Sequence, residues 1–147
     1  MKPSPIFAIT TLCLLTLGAL LLSGVQRAEA CQFHWHHYGD GDIKNIIGNE
    51  IGAHIPDAFC KYSSKYEIVL ETSAVVTRGV RAATGTGWGV ATMRPIGSKI
   101  QQNDRYVHTM TDPDCTTVGC TNALAKDAAL LSLDDMMSNL ENYEFTK

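Results

Sequence analysis

The run AATGTGWGVATM, residues 82–93, decides how this chain folds. It is extended in character, rich in Thr, Trp and Val, and is followed by Pro95 and Gly97, which stop a strand. Side chains alternate across a strand, so Gly85, Gly87, Gly89 and Ala91 share one face and Thr84, Thr86, Trp88, Val90 and Thr92 the other. A strand face of bare backbone marks a place where another backbone lies close. A helix from the C-terminal part of the chain is the expected occupant; the functional alternative is a ligand lying flat there beside Trp88. A phosphate loop is excluded, because the run lacks GK[ST], lacks the third glycine of the dinucleotide spacing and opens no helix.

Upstream, residues 66–77 alternate: Ile68, Leu70, Ala74 and Val76 fall on one face, Glu67, Glu71 and Ser73 on the other. This is a half-buried strand, joined to the glycine run by a turn near Arg78 and Gly79 to make an antiparallel hairpin. Residues 105–111 form a third short strand. Residues 122–143 read as a long helix opened by Thr121 or Asn122 as a cap. At 100° per residue Ala129, Leu130, Leu133, Met136, Met137 and Leu140 form one stripe, opposite Asp127, Asp134, Asp135 and Asn142, and the stripe packs on the sheet. Leu124 and Leu131 lie on the acidic side, where they are either a partner contact or, the favoured reading, two exposed leucines.

Nearer the N-terminus, Ile43, Ile47, Ile51 and Ile55 recur every four residues, with Asp42 placed to cap the first turn and Pro56 to end it. Gly48 and Gly52 inside this short helix are read as sites of close packing. The expected fold is therefore α+β: a short N-terminal helix, a small antiparallel sheet of about three strands, and a long C-terminal amphipathic helix packed on that sheet.

Residues 1–30 carry Lys2, an apolar run at 6–25 and Ala28-Glu29-Ala30, the arrangement of a cleavable secretory signal with the cut after Ala30. Attachment to a membrane would then need either an uncleaved signal, since the run is long enough to span, or lipidation of Cys31. Arg27, Ala28 and Glu29 depart from the residues that lipoprotein processing favours. The remaining 117 residues, 31–147, make one small domain. Removing Lys2, Arg27 and Glu29 from the chain's 12 basic and 15 acidic residues leaves 10 and 14, a net charge near −4. With no basic cluster, nucleic acid is excluded as a partner.

Cys13 leaves with the signal, and the even set that remains, Cys31, Cys60, Cys115 and Cys120, predicts two disulfides in an oxidising compartment. Cys115 and Cys120 flank the short polar segment CTTVGC, which leaves Cys31 for Cys60.

The densest group of metal-capable side chains is His34-Trp35-His36-His37, followed by Asp40 and Asp42. If extended, it points His34 and His36 to one face and His37 to the other. Two imidazoles would then share Cu²⁺ or Zn²⁺, with His108 or Asp40 as a third ligand. The plainer reading is an arm in which Phe33, Trp35 and Tyr38 anchor the chain and the histidines are solvated. No CxxC pair or HExxH accompanies it. His54, on the isoleucine stripe, reads as a core histidine with one hydrogen-bond partner.

No GxSxG elbow occurs and the disulfides leave no free thiol. Asp112 and Asp114 flank Pro113 in turn chemistry, and Asp40-Gly41-Asp42 lacks the later ligands of an EF-hand. The leading expectation is an exported, periplasmic or extracellular, non-catalytic protein that binds or helps assemble another envelope or extracellular protein. A secreted Cu or Zn protein using the histidine cluster is the second reading, and a small secreted hydrolase the third.

Overall fold

In a computed structural model of the chain, the described residues are 31–79, 82–101 and 104–143. The expected signal sequence at 1–30 lies outside them. The elements are β1 (Trp35–Tyr38), α1 (Gly41–Glu50), two short 3-10 turns (Ile51–His54 and Asp57–Lys61), β2 (Tyr66–Arg78), β3 (Ala83–Pro95), β4 (Tyr106–Asp112) and α2 (Val118–Ser138). They form one four-stranded mixed sheet, ordered β1-β2-β3-β4, with both helices on a single face. β1 pairs parallel to β2, and the other two ladders are antiparallel.

The α+β class, the hairpin and the C-terminal helix agree with the expectation; the strand count does not. The histidine segment is a fourth strand, in which Trp35 pairs with Ile68 and Tyr38 with Glu71. Its alternation, half-buried at Trp35 and His37 and exposed at His36 and Tyr38, is the period of a strand lying on a core. α1 is shorter than the isoleucine spacing suggests. It ends at Glu50, and a 3-10 turn then carries Ile51 inward, so Ile43, Ile47, Ile51 and Ile55 are all buried although only the first two are α-helical. Asp40 caps this helix rather than Asp42: its Oδ1 accepts from the Asp42 N–H at 2.7 Å. Gly48 does touch Trp35, but Gly52 meets nothing within 4 Å, so close packing fails there.

α2 lies on the glycine face of β3. A Cβ at Gly85 would overlap Cys115, one at Gly87 would overlap the backbone at Ala125, and one at Gly89 the backbone at Ala129. The three glycines let the helix sit directly on the strand, where Ser132 also donates to the Gly89 carbonyl at 2.9 Å. Beneath the helices, Phe59, Ile68, Leu70, Met93, Leu133 and Met136 are fully buried.

On the opposite face, Arg94 spans the strands, ion-paired with Glu67 and donating to the Tyr38 hydroxyl at 2.8 Å. Val75, Trp88 and Val107 are exposed on that face. β4 stops at Tyr106, opposite Ala91, so the ladder ends before Met93. The Tyr143 hydroxyl takes the place of the missing strand, accepting from the Met93 N–H at 2.9 Å and donating to the Asp104 carbonyl at 3.2 Å.

Both disulfides are formed, Cys31–Cys60 with Cα atoms 5.4 Å apart and Cys115–Cys120 at 5.5 Å. Among the described residues no helix is long and apolar enough to cross a membrane.

Candidate functional site

The direction of the two helices follows from the sheet register. Gly39 sits against Thr72 and Gly48 against Trp35, which pairs with Ile68, so α1 starts beside the second half of β2 and ends beside its first half. The chain passes from Cys115 over Gly85 into α2, which runs over Gly87 at Ala125 and over Gly89 at Ala129, and Gly85 faces Val76 across the β2–β3 ladder. The helices are thus parallel, and their N-termini meet at the Arg78 end of β2. Aligned peptide dipoles place partial positive charge at both ends.

Between those ends lies a cleft of about 750 Å³, lined by Asp40 and Ile43 of α1, Ala74 and Val76 of β2, and Thr117 and Asn122 of α2. The size is that of small-ligand and short-peptide sites. Thr117 caps α2: its Oγ1 accepts from the Cys120 N–H at 3.3 Å. The helix therefore begins inside the disulfide loop, several residues before the start that its apolar stripe suggests. That shift turns Asn122 from a cap into a side chain of the second turn. Asn122 is only 6% exposed, and its amide has no hydrogen-bond partner among the described residues. Arg78, at the mouth, is exposed and has no carboxylate partner among them.

Thr72 also lines the cleft, and its hydroxyl lies 2.8 Å from Nε2 of His37, which is not itself a lining residue. Burial, then the nearby Lys44 ammonium, hold the His37 pKa below its ordinary 6.5, with Asp40 opposing and His36 adding to the depression. Because the folded value is the lower, the unfolded chain binds more protons in the interval beneath 6.5. The contribution of His37 to stability is therefore complete above that value and is lost as pH falls through the folded one. The wild type is expected to lose stability relative to His37→Gln as urea titrations move from about pH 7 to about pH 5. A pH-independent difference would contradict this sign.

The other histidines are dispersed. His36 lies on the open face of the sheet, against the Tyr38 ring. His34 is exposed just ahead of β1, and its carbonyl accepts from the Ile68 N–H. His108 belongs to β4, at the far edge of the sheet, where its Nε2 lies 2.6 Å from Asp135 Oδ2. His54 Nδ1 is 2.7 Å from Asp134 Oδ1, the single partner expected, at half-buried depth. The two carboxylates hold α2 between the 3-10 turn and β4. Among the described residues no group of three or more His, Cys, Asp or Glu side chains is placed to hold one metal ion. No three of His34, His36, His37 and His108 are thus brought together among the described residues. Of the expected exposed pair, Leu131 is exposed and Leu124 half-buried.

No protein-family model, curated protein or solved structure matches the chain. The cleft was not legible beforehand. Read from sequence, Asn122 is a cap and Arg78 a turn residue, and only the parallel arrangement of the helices brings them together.

Proposed function

We propose that the protein is an exported, non-catalytic binding protein whose ligand occupies the cleft between the N-termini of α1 and α2. The observation that carries the reading is Asn122: a largely buried residue whose amide has no hydrogen-bond partner among the described residues and opens on a cleft large enough for a ligand. Among the described residues the buried side-chain polar atom left without a partner is Gln101 Oε1, so the Asn122 amide is open to water in the cleft, where a ligand group can take the water's place. Non-catalytic binding suits the lining as well. It offers hydroxyls, an amide and a guanidinium, while its carboxylate, Asp40, is committed to capping α1. Two disulfides are in keeping with an oxidising destination.

The test is Asn122→Leu, which keeps side-chain size and removes the unmatched amide. The ligand-free variant is expected to keep its stability within about 0.5 kcal/mol of wild type, because the amide is open to water, and to bind no ligand. Scanning calorimetry of both proteins decides it. Destabilisation would show that the amide serves the fold rather than a ligand.

A further inference from the structure

The cleft has a fourth wall that its side chains do not describe. β1 pairs with β2 only as far as Glu71, yet β2 continues to Arg78. The Ile68 N–H points toward β1, since it donates to the His34 carbonyl at 3.0 Å. By the alternation of a strand, Thr72, Ala74, Val76 and Arg78 present their N–H and C=O groups to that same side, while Ser73, Val75 and Thr77 face β3. Gly39 lies over the Thr72 carbonyl as the chain turns away into α1. Ala74 and Val76 therefore line the cleft with a sheet edge that has no neighbouring strand among the described residues.

We infer that the cleft takes an extended peptide, added as a strand parallel to β2 along residues 72–78, with the peptide's terminal carboxylate at the N-terminus of α2 beside Arg78. This rests on the cleft being a binding site. An unpaired edge is normally blunted by Lys, Pro or a bulge, and residues 73–77 contain neither Lys nor Pro and stay in unbroken register with β3. At about 3.3 Å per residue, the unpaired length suits a segment of four or five residues. Strand addition of this kind draws affinity from main-chain hydrogen bonds and selectivity from alternate side chains.

The direction is set by charge. A parallel peptide continues the line of β1 and brings its carboxylate to the Arg78 end. There the Val118 and Gly119 N–H groups open α2 ahead of the capped Cys120, and the guanidinium is unpaired among the described residues. An antiparallel peptide would set its ammonium against two helix N-termini. Asp40 already occupies the start of α1, so the anion belongs to α2. The Asn122 amide, a donor and an acceptor together, meets the inward-facing side of the added strand. Alternate peptide side chains then face Ile43 and Thr121, favouring small or polar residues.

The experiment pans the purified protein against a library of random peptides, about six residues long, displayed with free carboxyl ends. Enriched sequences are then synthesised as acid, as amide and with single N-methylated peptide bonds. The acid form is expected to bind with micromolar Kd, and amidation or N-methylation at a ladder position to weaken it at least about tenfold. Arg78→Glu should weaken binding comparably, and Val76→Pro, which removes an edge-facing N–H, should abolish it. The N-methyl series needs no altered protein, so a folding failure of Val76→Pro leaves the test intact. Binding unaffected by both N-methylation and amidation overturns strand addition. If no peptide is enriched while acetate or phosphate shifts the Val118 and Gly119 amide resonances, the cleft is a small-anion site; the peptide inference falls and the binding reading stands. If neither probe binds, both fall.

Discussion

Gly89→Val is expected to yield no folded protein, and Gly87→Ala a domain weakened by about 3 kcal/mol or more. The cause is geometric. A methyl at Gly87 would fall on the main chain of Leu124 and Ala125, and one at Gly89 on that of Ala128 and Ala129. Backbone cannot escape by changing rotamer, so the whole helix must lift. Lifting α2 uncovers Leu133 and Met136, fully buried against the sheet, and each loses up to about 2–3 kcal/mol of burial. The natural control is Gly52→Ala, where nothing lies within 4 Å, and which should leave stability within about 0.5 kcal/mol of wild type. Urea titration reads all three, with an unchanged slope expected for Gly87→Ala. A Gly89→Val protein melting like wild type would mean that α2 does not rest on β3.

Loss of the Cys31–Cys60 disulfide carries the second large effect. The cysteines are 29 residues apart in sequence, and closing a loop of that length restricts the unfolded chain by about 3.5 kcal/mol. The bridge ties the segment ahead of β1 to the second 3-10 turn, so β1, four residues long and bonded on one side only, depends on it more than the longer strands do. The Cys31→Ser/Cys60→Ser protein is expected to unfold at correspondingly lower urea and to exchange its β1 amides far faster than those of β3. The Cys115→Ser/Cys120→Ser protein should lose only about 2 kcal/mol, because its bridge spans 5 residues. Equal losses from the two pairs would contradict the loop-length argument.

The parts of the fold that could be read beforehand are those in which one physical requirement leaves one solution. Glycines on alternate positions of a strand demand a close backbone, and α2 is that backbone. Two cysteines five residues apart demand each other. The parts that were missed arise where two requirements compete locally and distant contacts decide. The histidine segment has too few residues to show a strand period, and its pairing with β2 is parallel, across about thirty residues of intervening chain. CTTVGC looks like a loop because a disulfide closes it, yet Thr117 starts a helix within it. That misplaced start is why Asn122 carried no functional signal. The cleft is a tertiary product: it needs β1 to end early, β2 to continue and two helices to begin side by side.

The contact of Tyr143 with Met93 and Asp104 bears on when the molecule can close. Synthesis proceeds from the N-terminus, so all four strands and both helices emerge before this side chain does. Until it arrives, the Met93 N–H has no partner and the last turn of the β3 edge stays open. The C-terminal segment thus works as a clasp: a chain shortened before Tyr143 would leave the β3 edge open beyond Ala91.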